Sequence, residues 1–113
     1  MGYFRIKGVF FMQVIPIEAI PNQSFNIVLN EQNCIIHLYQ RGDYLFMDLT
    51  VNATPIRQGA ICLIDTDVIN YPFVGFSGYL FFSDLSGKYG TPNYKELGNR
   101  FILIFVTEDE INV

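Results

Sequence analysis

The chain predicts an all-β fold, a small antiparallel barrel or sandwich of about seven strands in a single domain, on three observations. Most segments alternate with period two, they are rich in β-branched and aromatic residues, and clusters of Gly, Asn, Asp and Pro separate them. At 113 residues the chain is long enough for one core and too short for two. Half of the residues are hydrophobic and only 16% are charged, the opposite of a disordered composition. So short a β chain must close or stack its sheet to protect its edges, and of the two solutions the barrel is favoured over the sandwich.

The elements follow in order. Residues 1–11 precede the strand pattern and read as an N-terminal arm or an extension from an upstream start, residues 12–106 as the β domain, and residues 107–113 as an acidic tail carrying Glu108-Asp109-Glu110. In Ser24 to Leu29, Phe25, Ile27 and Leu29 share a face; Asn30 to Asn33 turns the chain, and it returns through Cys34 to Gln40, a hairpin. Arg41-Gly42-Asp43 turns it again into Tyr44 to Val51, where Leu45, Met47, Leu49 and Val51 point one way and Tyr44, Phe46, Asp48 and Thr50 the other. Asn52 to Pro55 reads as a turn, Gly59 to Ile64 as a short strand and Asp65-Thr66-Asp67 as a bend. Val68 to Tyr71 and Tyr79 to Ser83 read as strands on either side of a sharp bend at Pro72 to Gly78, whose glycines permit backbones to approach closely. Asp84 to Asn99 lacks any periodicity and predicts a surface loop with one helical turn near Lys95. Phe101 to Val106 is apolar at every position and predicts a strand buried on both faces.

Charge excludes one class of function. Seven Lys and Arg against eleven Asp and Glu give −4, so no basic footprint exists for nucleic acid. The longest apolar run is six residues, Phe101 to Val106, far short of the roughly 20 a helical membrane span needs. Arg5 and Lys7 ahead of Val9 to Met12 resemble the start of a leader, but Gln13, Pro16 and Glu18 interrupt it, so export is not expected. Two cysteines, Cys34 and Cys62, do not make a disulfide framework and fit a reduced compartment.

No catalytic constellation is visible, and no enzyme is expected. His37 is the one histidine; three residues after Cys34 on the same strand, it projects from the opposite face, so the two cannot act as a thiolate–imidazole pair. Gly75-Phe76-Ser77-Gly78-Tyr79 stops one residue short of a nucleophile elbow and reads as structural. The carboxylates Asp65 and Asp67 read as turn residues, so neither a metal nor a cofactor is expected. Asn22-Gln23-Ser24, Asn52-Ala53-Thr54 and Arg41-Gly42-Asp43 match short recognition tripeptides and are read as turn chemistry. The aromatic group Tyr71, Phe73, Phe76, Tyr79, Phe81 and Phe82 reads as core and subunit interface, or alternatively as a stacking platform for a glycan or peptide. Sparse charge and high apolar content place some apolar surface under a partner. Phe73, Phe76, Tyr79, Tyr89 and Tyr94 are the candidate interface residues.

Longer stretches carry a resemblance. Met12-Gln13-Val14-Ile15-Pro16-Ile17 with Ile20-Pro21-Asn22-Gln23-Ser24-Phe25, then Cys34, His37 to Gln40, Tyr44 to Leu49, Asn52 to Ile56 and Gly59 to Leu63, are similar to small baseplate plug proteins of contractile-tailed phages and prophages, the cyanophage type among them. Phe76 to Asp84 and Tyr94 to Phe101 extend the likeness, which covers about residues 12 to 106. The resemblance implies an all-β structural virion protein of the tail baseplate, assembled in the host cytoplasm and seated where the tube meets the hub and spike. It implies protein partners in place of substrates and a ring-symmetric homo-oligomer. The alternative is a ligand-binding β module for a glycan or peptide, built on the aromatic group and the Asp84 to Asn99 loop.

Overall fold

The computed structural model describes residues 4–6, 10–70 and 75–108. Eight strands form two four-stranded antiparallel sheets. β1 (Phe4–Ile6), β2 (Phe10–Ile15), β8 (Phe101–Glu108) and β7 (Tyr79–Asp84) make one sheet in that order. β3 (Asn22–Leu29), β4 (Gln32–Arg41), β5 (Tyr44–Val51) and β6 (Thr54–Ile61) make the other, a meander in sequence order. One 3₁₀ turn, Tyr94–Glu96, lies at the predicted helical turn in the long loop.

The sheets stack as a sandwich. The barrel expectation is corrected here, because no strand of one sheet joins the ladder of the other. The edges are protected by other means. β1 is three residues long, β6 carries Pro55 and Arg57, and the outer edge of β7 is covered by the chain at Ile64–Val68. In that cover, Asp65 N donates to Phe82 O and Val68 N to Leu80 O, both at 2.8 Å.

Between the sheets lies one core. From the meander come Leu29, Cys34, Ile36, Leu38, Leu45, Met47, Leu49, Val51 and Ala60; from the other sheet come Ile15, Leu80, Phe82, Phe101, Leu103 and Phe105. The alternation read in β5 is the alternation observed, Leu45 through Val51 buried at odd positions and the even ones turned outward. Burying these side chains contributes about 1.5–3 kcal/mol each against exposure, which offsets the conformational entropy of ordering the strands.

Several boundaries move for local reasons. Asn30 and Glu31, and again Asn52 and Ala53, have positive φ and form two-residue loops of the primed kind, so the hairpin turns are tighter than the four-residue stretches predicted. Thr54 and Pro55 therefore already belong to β6, which ends at Ile61 and not at Ile64. The expected strand at Val68 to Tyr71 is instead a bend through Asn70, with Tyr71 outside the described residues. Asp67 imposes the bend, its carboxylate accepting the amides of Ile69, Asn70 and Leu80. At the start, Phe4–Ile6 pairs with Phe10–Met12, so strand pairing begins ahead of residue 12. β8 continues to Glu108, and the remainder of the acidic tail lies outside the described residues. Gly78 shows the predicted close approach: a Cβ there would collide with the Phe105 ring.

Candidate partner interface

The outward face of the β1-β2-β8-β7 sheet departs from the usual pattern. A sheet with one face on the core and one in water alternates apolar and polar residues. Here Ile15, Leu80, Phe82, Leu103 and Phe105 fill the core side, yet the alternate positions in the middle of the sheet are also apolar. Register aligns them in two rows across the three strands, Met12–Val106–Tyr79 and Val14–Ile104–Phe81. Ile104 is buried between its neighbours, while Val14 and Tyr79 are 41% and 44% exposed. None of the six carries a charge. Contiguous uncharged apolar surface of this kind is the composition found at the centres of protein contacts.

A second feature is the loop after β7, which is held firmly despite its irregular sequence. The Asp84 carboxylate, almost wholly shielded from water, accepts from Arg100 Nε and Nη2 at 2.9 Å each, Ser86 N at 2.9 Å, Ser86 Oγ at 2.6 Å and Gly90 N at 2.7 Å. Arg100 also donates through Nη1 to Glu96 at 3.1 Å and lies 4.7 Å over the Phe101 ring. The Arg100 guanidinium, reinforced by the Ser86 and Gly90 bonds, holds the Asp84 carboxyl well below the usual carboxylate range against the opposing effect of desolvation. Arg100 is raised in turn, chiefly by Asp84. Glycine at position 90 leaves room for the clamp, because a Cβ there would push that guanidinium aside. Leu97 and Pro92 are buried beneath the loop, whereas Leu85 and Tyr89 project from it, 61% and 75% exposed. Tyr89 has φ +57°, a left-handed conformation uncommon for a bulky side chain.

The outward face of the meander is polar and aromatic. Asp48 Oδ1 accepts from Tyr39 OH at 3.1 Å and from Gly59 N at 2.7 Å, capturing an amide freed by the register shifts in β6. His37 Nδ1 lies 3.4 Å from Asp48 Oδ2, and its Nε2 lies 2.9 Å from Asn22 Oδ1. Tyr39 stacks 5.9 Å from Phe46, and its phenol is pushed up by desolvation first and by the Asp48 hydrogen bond and charge next. These groups satisfy one another and tie β3, β4, β5 and β6 together across the face.

The five sequence-predicted interface residues separate. Tyr79 sits on the apolar face and Tyr89 at the loop tip, both exposed. Tyr94 is half-buried against the core, its amide donating to Gln40 Oε1 at 3.1 Å. Phe76 is 2% exposed and packs 5.7 Å from Phe105, so the surface role expected for it gives way to a core role. Phe73 lies outside the described residues. Missed from sequence were Met12, Val14, Ile102 and Val106 as members of an outer face. For the two on β8 the signal is apolar residues at both parities, which fits burial on both sides as well as an apolar outer face.

Cys34 is buried inward and His37 faces outward, as their spacing predicts. Both cysteines are free thiols, and desolvation pushes each thiol up, Cys62 the more strongly. Among the described residues no group of three or more His, Cys, Asp and Glu is placed to hold a metal ion, and no helix is long and apolar enough to cross a membrane.

With the fold and these surfaces in view, the comparison with known families is direct. A family model described as cyanophage baseplate Pam3 plug gp18 matches residues 12–108. The chain belongs to that family. It is thus a structural component of a phage tail baseplate, and the match runs from the start of the outer apolar row to the end of β8. No curated protein matches the chain. The matched span includes both ends of the Asp84–Arg100 clamp and every residue of the two apolar rows.

Proposed function

We propose that the protein plugs the tail at the junction of tube and hub, held there by contacts with hub, spike and tube proteins as a ring of copies, and that it works by being packed and not by catalysis. It would join the particle in the host cytoplasm, in a phage or a prophage-encoded tail. The observation that carries this reading is the uncharged apolar face of Met12, Val14, Tyr79, Phe81, Ile104 and Val106 on a chain of the baseplate plug family. Obligate interfaces are depleted of charge at their centres, the composition that this face shows.

A test follows from the exposure of Val14. Val14→Glu places a charge on the face without touching the core, so the variant folds with an unchanged unfolding midpoint but is not retained in purified tails. Retention at the wild-type level would remove the face from the contact. Two aromatics of the glycan-module alternative, Phe76 and Phe82, are core rings, which leaves it Tyr79 and Phe81 among the described residues.

A further inference from the structure

We propose that copies of this chain bind one another head to tail, the Leu85–Tyr89 loop tip of one entering a depression at the opposite end of the next. The depression, about 390 Å³, is lined by Val28, Ile35 and Ala53 with Asn26 and Asn33 beside them, where the β3–β4 and β5–β6 turns meet. Val28 and Ile35 are 58% and 42% exposed, so its apolar wall stands open to water.

The two features lie at opposite ends of the sandwich. Gln32, at the depression end, bonds Ser77 N and O through its side chain, and Asn30 reaches Thr107; these are the residues that flank the start of β7 and the end of β8. The loop that carries the tip leaves the other end of β7, and its later part is bound to Gln40 through Tyr94 N. Along β4 alone, Asn33 and Gln40 are separated by roughly 24 Å at about 3.4 Å per residue. A tip cannot reach its own depression, and the contact must be between molecules.

Three properties make a second copy the occupant. The tip presents Tyr89 as a rigid aromatic anchor, held by the Asp84–Arg100 clamp and a left-handed backbone, so little freedom is lost when it docks. The depression offers apolar walls with amide groups beside them, chemistry that suits a phenol. Charge agrees as well: exposed Lys88 adjoins Tyr89 on the tip, and exposed Glu31 sits in the turn beside the depression. Because tip and depression are different surfaces, the contact is heterologous, and repetition closes a ring when the rotation allows or extends a filament when it does not. It supplies a seam for the ring of copies proposed above and rests on that part of the reading, but not on which baseplate proteins surround the ring.

The test is a chain carrying Lys88→Cys and Ala53→Cys, oxidised mildly in dilute solution, where the native thiols are buried. The expected result is a ladder of disulfide-linked multimers, whereas either single substitution gives dimers at most. Adding Tyr89→Ser should cut the ladder about tenfold, the loss that removal of a central aromatic anchor produces. Tyr89 is exposed, so its unfolding midpoint should match that of the parent. A double variant no more cross-linked than the singles, or a ladder indifferent to Tyr89→Ser, overturns the inference. A chain that enters tails without forming the ladder refutes head-to-tail association alone, and a ladder without entry into tails refutes the baseplate position alone.

Discussion

Asp84 illustrates how one side chain orders a long loop. Five donors converge on a carboxylate that water barely reaches, and they turn fifteen aperiodic residues into a fixed platform for Leu85 and Tyr89. Its folded pKa is depressed, so between the folded and unfolded values the unfolded chain binds more protons and stability rises with pH. The contribution is complete above the ordinary carboxylate range and is lost progressively as pH falls below it. Comparing urea unfolding of the wild type and Asp84→Asn should therefore show a constant gap from pH 7 to about 5, in favour of the wild type, that narrows below about 4. A gap that widens on acidification would contradict the clamp. The cysteines make a second residue-scale prediction. Cys34 and Cys62 are buried with raised thiol pKa values, so a maleimide at pH 7.5 should label neither in the native state within minutes and both after denaturation.

At the level of elements, β3 to β5 of the meander are the most legible part of the sequence, because period-two alternation survives wherever one face is wet. The Leu45 to Val51 face is as read, and the turn expected at Arg41 to Asp43 is present, tightened to Gly42 and Asp43. Legibility falls where side chains, not periodicity, shape the backbone. Asp67 converts an apparent strand into a bend, and Gly59 with Asp48 absorbs the irregular register of β6. β8 shows the third limit: apolar residues at both parities signal coverage on both sides, but one chain cannot say whether its own residues or a neighbour's supply it. The elements also differ in what they contribute. Leu49, fully buried at the centre of β5, should cost about 2–5 kcal/mol when replaced by Ala. Removal of residues 1–11 takes away β1 and the first residues of β2, yet leaves every core residue from Ile15 onward. We expect that truncation to unfold cooperatively in urea with most of the wild-type slope; a broad, non-cooperative transition would make the arm part of the core.

The whole molecule is a stacked pair of sheets whose inner faces hold it together and whose outer faces differ. One carries a satisfied network of His37, Tyr39, Asp48 and Asn22, with the exposed apolar Val28 and Ile35 beside it. The other presents two uncharged apolar rows across β2, β8 and β7. Family membership and this asymmetry lead to the same account: a small rigid body whose function is to be surrounded. The sequence resemblance reached the family, whereas the apolar face and the clamped loop needed the register and the fold to become visible. The most direct test is quantitative mass spectrometry of tails purified from the host that carries this chain. The account predicts recovery in a fixed ratio to the tail proteins, unchanged through successive purification steps. Recovery only in the soluble lysate, with intact tails lacking the chain, would contradict it.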